Sequence, residues 1–315
     1  MSIPLVSVVI PAYNAERTLR AAVASVRAQT VQELELIVVD DGSEDSTAAL
    51  ARSLPKIRVI SQPNQGVASA RNSGLAEARA EWVAFLDADD IWIRDKLRKQ
   101  LQLVRENPKA LAVQTSAVLV NDQLDVLYQV ICPEGQNSPL NTLLFRNLPA
   151  FSSSLFASRR VLNSIGGFDS SLVILEDWDL AVRLSLESGL FNLQETLVLY
   201  RIHGANRSRD LALHIQPGFA ALERIFASPD LPEEVSKNRS LVYGTFFMML
   251  AGGAFRSRNW TEFHYWARRA IFTDPRSSRL LWSYPFRSIA RHKERGRTLA
   301  CIEELRPILK EWDAH

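Results

Sequence analysis

Trp82-Val83-Ala84-Phe85-Leu86-Asp87-Ala88-Asp89-Asp90 is the stretch whose reading decides the fold. An unbroken apolar run suits a strand buried on both faces, and the acids that follow belong where such a strand leaves its sheet. Working outward, the same pattern recurs. Leu5–Ile10 is apolar and β-branched and stops at Pro11; Leu36–Val39 stops at Asp40-Asp41-Gly42-Ser43; Ile57–Ile60 reads as a third strand. Leu19, Val23 and Val26 recur at helical spacing behind Asn14, a residue that can cap a helix, and Gly66–Ala80 reads as another helix. Strands alternating with helices over the first 90 residues predict a doubly wound, mostly parallel, Rossmann-like α/β sheet. Ligands of such sheets bind beyond the carboxyl ends of the strands. Those ends carry Pro11-Ala12-Tyr13-Asn14, Asp40-Asp41 and Asp87-Ala88-Asp89-Asp90, so polar groups from three strands converge on one edge.

From about residue 111 the pattern changes. Leu111–Val120 and Val126–Ile131 read as longer strands of a small antiparallel part, and Phe151–Phe156 as another. Arg159–Ile165 and Glu176–Ser188 read as helices, and Leu197–Ile202 as the final strand. Beyond Asp210 the chain reads as helical, and residues 247–275 resemble a single tetratricopeptide-like helix–turn–helix unit. The expected organisation is an α/β domain over 1–210, with halves 1–110 and 111–210, and a C-terminal helical extension over 211–315.

Several groups point to chemistry. Carboxylates at Asp87 and Asp89, just past a buried strand, are costly unless they meet a cation or solvent. Their hard oxygens suit Mg2+ or Mn2+, which complete their shells with substrate phosphates. Asp90, before Ile91-Trp92, would also serve as a helix cap, but three acids exceed what one cap needs. Asp40 or Asp41 can accept from a base N–H or from ribose hydroxyls, with Gly42 free to take a positive φ. A plain strand–turn–helix junction capped by Ser43 or Asp45 would read the same way. In Asn64-Gln65-Gly66-Val67-Ala68-Ser69-Ala70-Arg71-Asn72, Arg71 could face a diphosphate or solvent. The small residues Gly66, Ala68, Ser69 and Ala70 would let this helix approach the sheet closely. In Glu176-Asp177-Trp178-Asp179, a carboxylate at a helix start could act as general base for a hydroxyl. It could equally complement the helix dipole, worth about 0.3–1 kcal/mol. His203, after Arg201-Ile202, is a candidate contact to metal or phosphate, or a structural histidine.

The bulk numbers exclude other classes. The 315 residues carry a net charge of +2 and are 47% hydrophobic and 23% charged, which lends no support to a nucleic-acid role. Cys132 and Cys301 form no CxxC pair; neither a disulfide framework nor a structural zinc is expected, and a reducing cytoplasm fits. Met1-Ser2-Ile3-Pro4 leads directly into a strand-like run, so no signal peptide is expected. The longest apolar stretch, Leu241–Phe255, has 15 residues interrupted by Gly244, Gly252 and Gly253; it reads as a buried helix rather than a membrane span.

Taken together, the motifs resemble the inverting family 2 glycosyltransferases of GT-A fold. The matching pieces are Val6–Asn14, Glu35–Ser43, Asn64-Gln65-Gly66 with Ala70-Arg71-Asn72, Phe85–Asp90, Gly166-Gly167-Phe168-Asp169 and Glu176-Asp177, in the family's order and spacing. The resemblance covers about residues 4 to 208 and implies roles. A nucleotide-sugar donor, UDP-linked by analogy, would lie on Pro11, Tyr13, Asn14, Asp40, Asp41, Arg71, Asp87, Ala88 and Asp89. Pro11, Tyr13 and Asp41 would frame the base. Asp89, with Asp87 and His203, would hold Mn2+ or Mg2+ on the diphosphate. Asp177 would be the catalytic base and Glu176 would help to place the acceptor, a glycan or lipid-linked molecule. Tyr200-Arg201-Ile202-His203 resembles the segment that closes over the donor in non-processive members. The Gln-x-x-Arg-Trp motif of processive synthases is absent, so one sugar per event is expected.

Two other classes share parts of this set. A nucleotide-sugar-binding regulator or scaffold without turnover would not need Asp87, Asp89 and Asp177 together. A nucleotidyltransferase would need a Gly-rich, basic loop where this chain has Pro11-Ala12-Tyr13-Asn14. Residues 256–297 hold eleven Lys or Arg against three acids, with Trp260, Trp266, Trp282, Tyr284 and Phe286 interleaved. The plainer reading is a solvated basic face over core aromatics. The sharper one is attachment to an anionic membrane from the cytoplasmic side.

Overall fold

The computed structural model describes residues 3–144, 151–202 and 212–279. Its strands are β1 (Val6–Ala12), β2 (Leu34–Asp41), β3 (Arg58–Gln62), β4 (Trp82–Phe85), β5 (Ile91–Trp92), β6 (Ala112–Val120), β7 (Val126–Val130), β8 (Gly135–Asn137), β9 (Phe156–Ser158) and β10 (Leu190–Arg201). The helices are α1 (Leu19–Arg27), α2 (Thr47–Ser53), α3 (Val67–Glu77), α4 (Lys96–Glu106), α5 (Pro139–Leu143), α6 (Phe151–Ser154), α7 (Arg159–Ser164), α8 (Glu176–Glu187), α9 (Ala212–Phe226), α10 (Glu233–Lys237), α11 (Arg239–Arg256) and α12 (Trp260–Thr273).

The strands form one sheet in the order β3-β2-β1-β4-β9-β6-β10-β5, with β7 on β6 and β8 on β10. β1 pairs in parallel with β2 and β4, β2 with β3, and β6 with β10. β9, β5, β7 and β8 are the antiparallel members. The expected doubly wound, mostly parallel sheet with an antiparallel part is what forms. The order reverses at β1, whose neighbours are β2 and β4, and in open α/β sheets the ligand crevice lies at such a point, beyond the strand ends.

Two-sided burial explains the unbroken apolar runs. Val8, Ile10, Leu36, Val38, Ala84 and Leu86 enter a cluster with α1 and α4, while the alternate residues Val9, Ile37, Val39, Val83 and Phe85 enter a second with α3, α7 and α8. A third cluster joins Leu143 and Leu144, Leu175, Trp178 and Val182 to the helices after residue 212, including Leu222, Phe246 and Trp266. Leu241–Phe255 lies within α11, as expected of a buried helix. Among the described residues no helix is long and apolar enough to cross a membrane.

Some local expectations are corrected. β1 does not stop at Pro11, which pairs with Val39. Pro11 lies past Val9, the last residue of β1 paired with β4, so its missing N–H leaves no gap in that ladder. Asn14 caps no helix: it sits at φ 49°, and α1 begins only at Leu19. Nor does Asp90 cap one, because β5 follows it and α4 begins at Lys96. Phe151–Ser154, read as a strand, is helical. Its carbonyls are used away from any ladder: that of Ser153 accepts from the Trp92 indole at 2.7 Å and that of Ser154 from Gln100 Nε2 at 2.9 Å.

Candidate active site

The β1 and β2 tips are tied together. Glu44 N donates to Asn14 Oδ1 at 2.9 Å and Asn14 N to Ser43 Oγ at 3.0 Å. A left-handed turn is tolerable for Asn, and it leaves Tyr13 exposed at the mouth of the crevice while Pro11 is buried. Asp40 Oδ1 accepts from Ser43 N at 3.3 Å. Asp41 is fully engaged: its Oδ1 accepts from Gln62 Nε2 at 2.8 Å and Gln65 N at 3.0 Å, and its Oδ2 from Gly66 N at 2.9 Å. A carboxylate there satisfies donors at the start of α3 and complements its dipole. Neither Ser43 nor Asp45 is the N-cap of α2, which is Ser46; Asp45, one residue before it, accepts from Thr47 N at 2.9 Å.

Arg71 is the hub of the crevice. It is buried, donating through Nη2 to Asp87 Oδ1 at 2.7 Å and through Nη1 to Glu176 Oε1 at 2.9 Å. Its guanidinium carbon lies 5.0 Å from the centre of the Phe168 ring. Burial alone would make the guanidinium easier to deprotonate, but Asp87 and Glu176 outweigh that and hold it charged. Through these two contacts Arg71 fastens the β4 tip to the start of α8. Next to it, Asn72 and Phe168 exchange two hydrogen bonds, Asn72 Nδ2 to Phe168 O at 2.8 Å and Phe168 N to Asn72 Oδ1 at 2.9 Å. Gly167, at φ 66°, makes this possible, since a Cβ there would stand 2.5 Å from Asn72 Oδ1. α3 also rides close over β1, although the residue that permits this is Gly74, where a Cβ would meet Val9 Cγ1 at 2.2 Å.

At the β4 tip, Asp87 and Asp89 are half-buried, Ala88 and Asp90 buried. Asp87 N donates to Ser153 Oγ at 3.1 Å, and that hydroxyl donates to Asp90. Asp90 also accepts from Arg201 N at 2.9 Å, so it staples β4 to α6 and to the end of β10. Burial, then the charges of Asp89 and Asp87, push the Asp90 carboxyl well above the usual carboxylate range. The Tyr200 hydroxyl is likewise pushed up by burial and by Asp90, Asp87 and Asp89. Clustered acids whose repulsion shows in their neighbours fit a divalent cation, with Asp87 and Asp89 as its protein oxygens. Among the described residues no three acidic, His or Cys side chains converge into a complete metal site; the remaining ligands would have to come from phosphate oxygens. His203 lies outside the described residues.

α8 brings the candidate base to this edge. Leu175, immediately before it, is left-handed at φ 67°, which costs a branched residue about 1–3 kcal/mol and persists only where packing imposes it. Its buried side chain belongs to the third cluster, with Phe246 and Trp178. Asp177 is half-buried, and its Oδ1 accepts from Trp178 N at 2.7 Å. Burial first, then the charge of Glu176, push its carboxyl up to about 7, against a smaller downward pull from Arg71. Such a group is poised to take a proton near neutral pH. Further along α8, fully buried Asp179 pairs with Arg183 Nη2 at 2.6 Å and with Arg224 of α9, which also reaches Asp169.

The structure thus joins Asp87, Arg71 and Glu176 in one ion-paired group, with Asp177 next to Glu176 at the start of α8, Asp89 on the same tip as Asp87, and Asp40 and Asp41 at the end of β2 on the other side of β1. The structure adds Ser153 and Arg224 as supports of the site, and gives Asn72 and Phe168, parts of the motifs, a supporting role of their own. The triplet Ser152-Ser153-Ser154 between apolar neighbours was an available signal; Arg224 had none.

Comparison with known proteins agrees with this architecture. Residues 7–165 match the model described as glycosyl transferase family 2. An uncharacterized glycosyltransferase of Rickettsia prowazekii is 32% identical over 208 residues, 64% of this chain and 65% of that protein, so the matched length is just under two thirds of the relative. The UDP-Glc:alpha-D-GlcNAc-diphosphoundecaprenol beta-1,3-glucosyltransferase WfgD of Escherichia coli is 42% identical over 106 residues, 33% of this chain and 42% of that one. The crystal structure of S. aureus TarS 1–349 in complex with UDP-GlcNAc superposes with a TM-score of 0.58 at 17% identity, over 84% of this chain and 90% of that one. The mannosyltransferase PcManGT from Pyrobaculum calidifontis, in complex with GDP-Man and Mn2+, gives 0.61 at 16% identity over 99% and 87%. With a family model covering half its length and the family's motifs gathered on one sheet edge, the chain belongs to glycosyltransferase family 2.

Proposed function

We propose that this glycosyltransferase moves one sugar from a nucleoside-diphosphate donor, UDP-linked, to a hydroxyl of a glycan or lipid-linked acceptor, with inversion at the anomeric carbon. The observation that carries the reading is geometric: Arg71 clasps Asp87 at the β4 tip to Glu176 at the start of α8, which brings the adjacent Asp177 to the edge where the strand-end acids lie. Residues 1–110 would bind the donor, with Pro11, Tyr13 and Asp41 around the base and Asn14, Asp40 and Ala88 lining the approach; residues 111–210 would present the acceptor. Asp87 and Asp89 would hold Mn2+ or Mg2+, and the ion supplies charge neutralisation for the departing diphosphate when bound.

The acceptor oxygen attacks the anomeric carbon on the face opposite the diphosphate. As that C–O bond forms, the C–O bond to the diphosphate breaks, and the hydroxyl proton passes to Asp177. Glu176, fixed by Arg71, keeps a negative charge beside Asp177 that raises its affinity for the proton and helps to place the acceptor. A single displacement inverts the centre and needs no covalent sugar–enzyme species.

The choice of UDP follows the names of two related proteins, one a UDP-glucose transferase and one seen with UDP-GlcNAc. The first acts on a diphosphoundecaprenol-linked sugar, which favours a lipid-linked acceptor met at the cytoplasmic face of a membrane. A thermal-shift screen of nucleotide sugars with Mn2+ tests the donor, because a bound donor raises the melting temperature by mass action. Asp177→Asn is expected to keep the donor-induced shift while turnover, followed as nucleoside diphosphate release, falls about 1000-fold. Normal turnover in that variant overturns the assignment of the base; no shift with any nucleotide sugar overturns the donor.

A further inference from the structure

α12 carries two apolar faces, and only one is used. Phe263, Trp266, Ala267 and Ala270 pack inward on the third cluster. On the opposite side Thr261, Tyr265, Arg268 and Phe272 fall on one line at helical spacing, with Tyr265 54% and Phe272 76% exposed. Ile271 is exposed beside them. At the turn from α11, Phe255 and Trp260 are 47% and 53% exposed and meet edge to face with centroids 5.6 Å apart. Of the aromatics that the plainer reading of this basic region places in the core, Trp266 is buried and Trp260 is 53% exposed.

Charge settles what this face suits. From Phe255 to Thr273 there are four arginines and one acid, Glu262. Arg269 spans both faces: its guanidinium carbon lies 4.8 Å from the Phe247 ring centre, and its Nη1 donates to the Tyr265 hydroxyl at 3.0 Å. Arg268 lies over the exposed Phe272 ring at 5.5 Å, and Arg256 and Arg258 are exposed beside Phe255 and Trp260. A second copy of this chain would set arginine against arginine on this surface. A nucleic acid would answer the charge but offer nothing to the outward isoleucine. An anionic lipid headgroup layer takes both, with phosphates for the guanidinium groups and the acyl boundary for the rings.

We propose that the outward face of α12, with Tyr265, Arg268 and Phe272 at its centre and Phe255 and Trp260 at one end, docks on an anionic lipid surface. The proposal deepens the lipid-linked reading of the acceptor by naming the surface that would bring the enzyme to it. Its test uses the full chain, sedimented with phosphatidylcholine vesicles and with vesicles containing phosphatidylglycerol. Pelleting is expected only with the anionic vesicles, falling at least about fivefold between low and high salt as the charges are screened. The double variant Tyr265→Ser, Phe272→Ser is expected to pellet about tenfold less, with its melting temperature lowered by no more than about 5 °C, since Tyr265 meets the core only through the edge of Trp266. Absence of pelleting at low salt, equal pelleting with both lipids, or parental pelleting by the double variant each overturns the proposal. So does retention on a single-stranded oligonucleotide that the same double variant abolishes, which would make the face a nucleic-acid site. Pelleting is read without donor, so its failure leaves the sugar-transfer reading intact, and an inactive enzyme that still pellets leaves this one intact.

Discussion

Asp177 sits where function and stability oppose each other. Its ordinary carboxylate value is about 4, and in the folded chain burial and Glu176 push it up to about 7. Folding therefore disfavours its charged form. The cost is fully present above about pH 7 and fades as pH falls from there towards 4, where the carboxyl is protonated in both states. Asp177→Asn removes the charge and should melt a few degrees higher than the parent at pH 8, with the gap shrinking steadily down to pH 5; thermal melts across that range check the sign. A variant that melted below the parent at pH 8, with the deficit closing on acidification, would mean that Asp177 is stabilised as the anion, and its suitability as a base would go with it. Arg71 teaches a related lesson. Its neighbours in sequence could not tell what holds this arginine, whereas the structure shows two carboxylate partners, 16 and 105 residues away.

Among elements, the contact between α3 and the loop before α8 is the one on which the crevice depends. Asn72 and Phe168 exchange both hydrogen bonds only because Gly167 has no Cβ. Gly167→Ala would place a methyl group 2.5 Å from Asn72 Oδ1 at a positive φ, and should cost about 1–3 kcal/mol of stability. Phe168 also lies under Arg71, so donor-independent loosening of the Arg71 group should accompany the loss. Urea melts give the first number, and protection of the Arg71 and Phe168 amides in hydrogen exchange gives the second. Gly166 and Gly167 could be recognised in the sequence as part of a motif; that the motif's partner is Asn72 could not, because no local periodicity links positions 96 residues apart.

For the whole molecule, the helices after residue 212 are part of the site's support. They complete the cluster that holds Leu175 in its left-handed turn, and Arg224 reaches from α9 to Asp169 and Asp179 on either side of Asp177. Asp179 is fully buried and keeps Arg183 if Arg224 is lost. Arg224 is itself half-exposed, so Arg224→Gln should cost about 1–2 kcal/mol rather than the larger penalty of an orphaned buried charge. A several-fold fall in kcat with the donor KM unchanged is the expected signature of a shifted α8. An unchanged kcat would reduce the arginine to a stabilising clip.

The amino-acid sequence by itself determined the sheet, its polar edge and the family, because these are written in short range: apolar runs interrupted by acids report burial and strand ends within a few residues. It located Asp40, Asp41, Asp87 and Asp89 on that evidence, and Asp177 at a helix start through the motifs of the family. Only the tertiary structure decided what those side chains do to one another. The helix at Phe151–Ser154, the left-handed Leu175, the Arg71 ion pairs and the second face of α12 all arise from contacts between residues distant in sequence. Such contacts carry no local signature, since a side chain's charge, strain and exposure are set by whatever the folded chain brings against it.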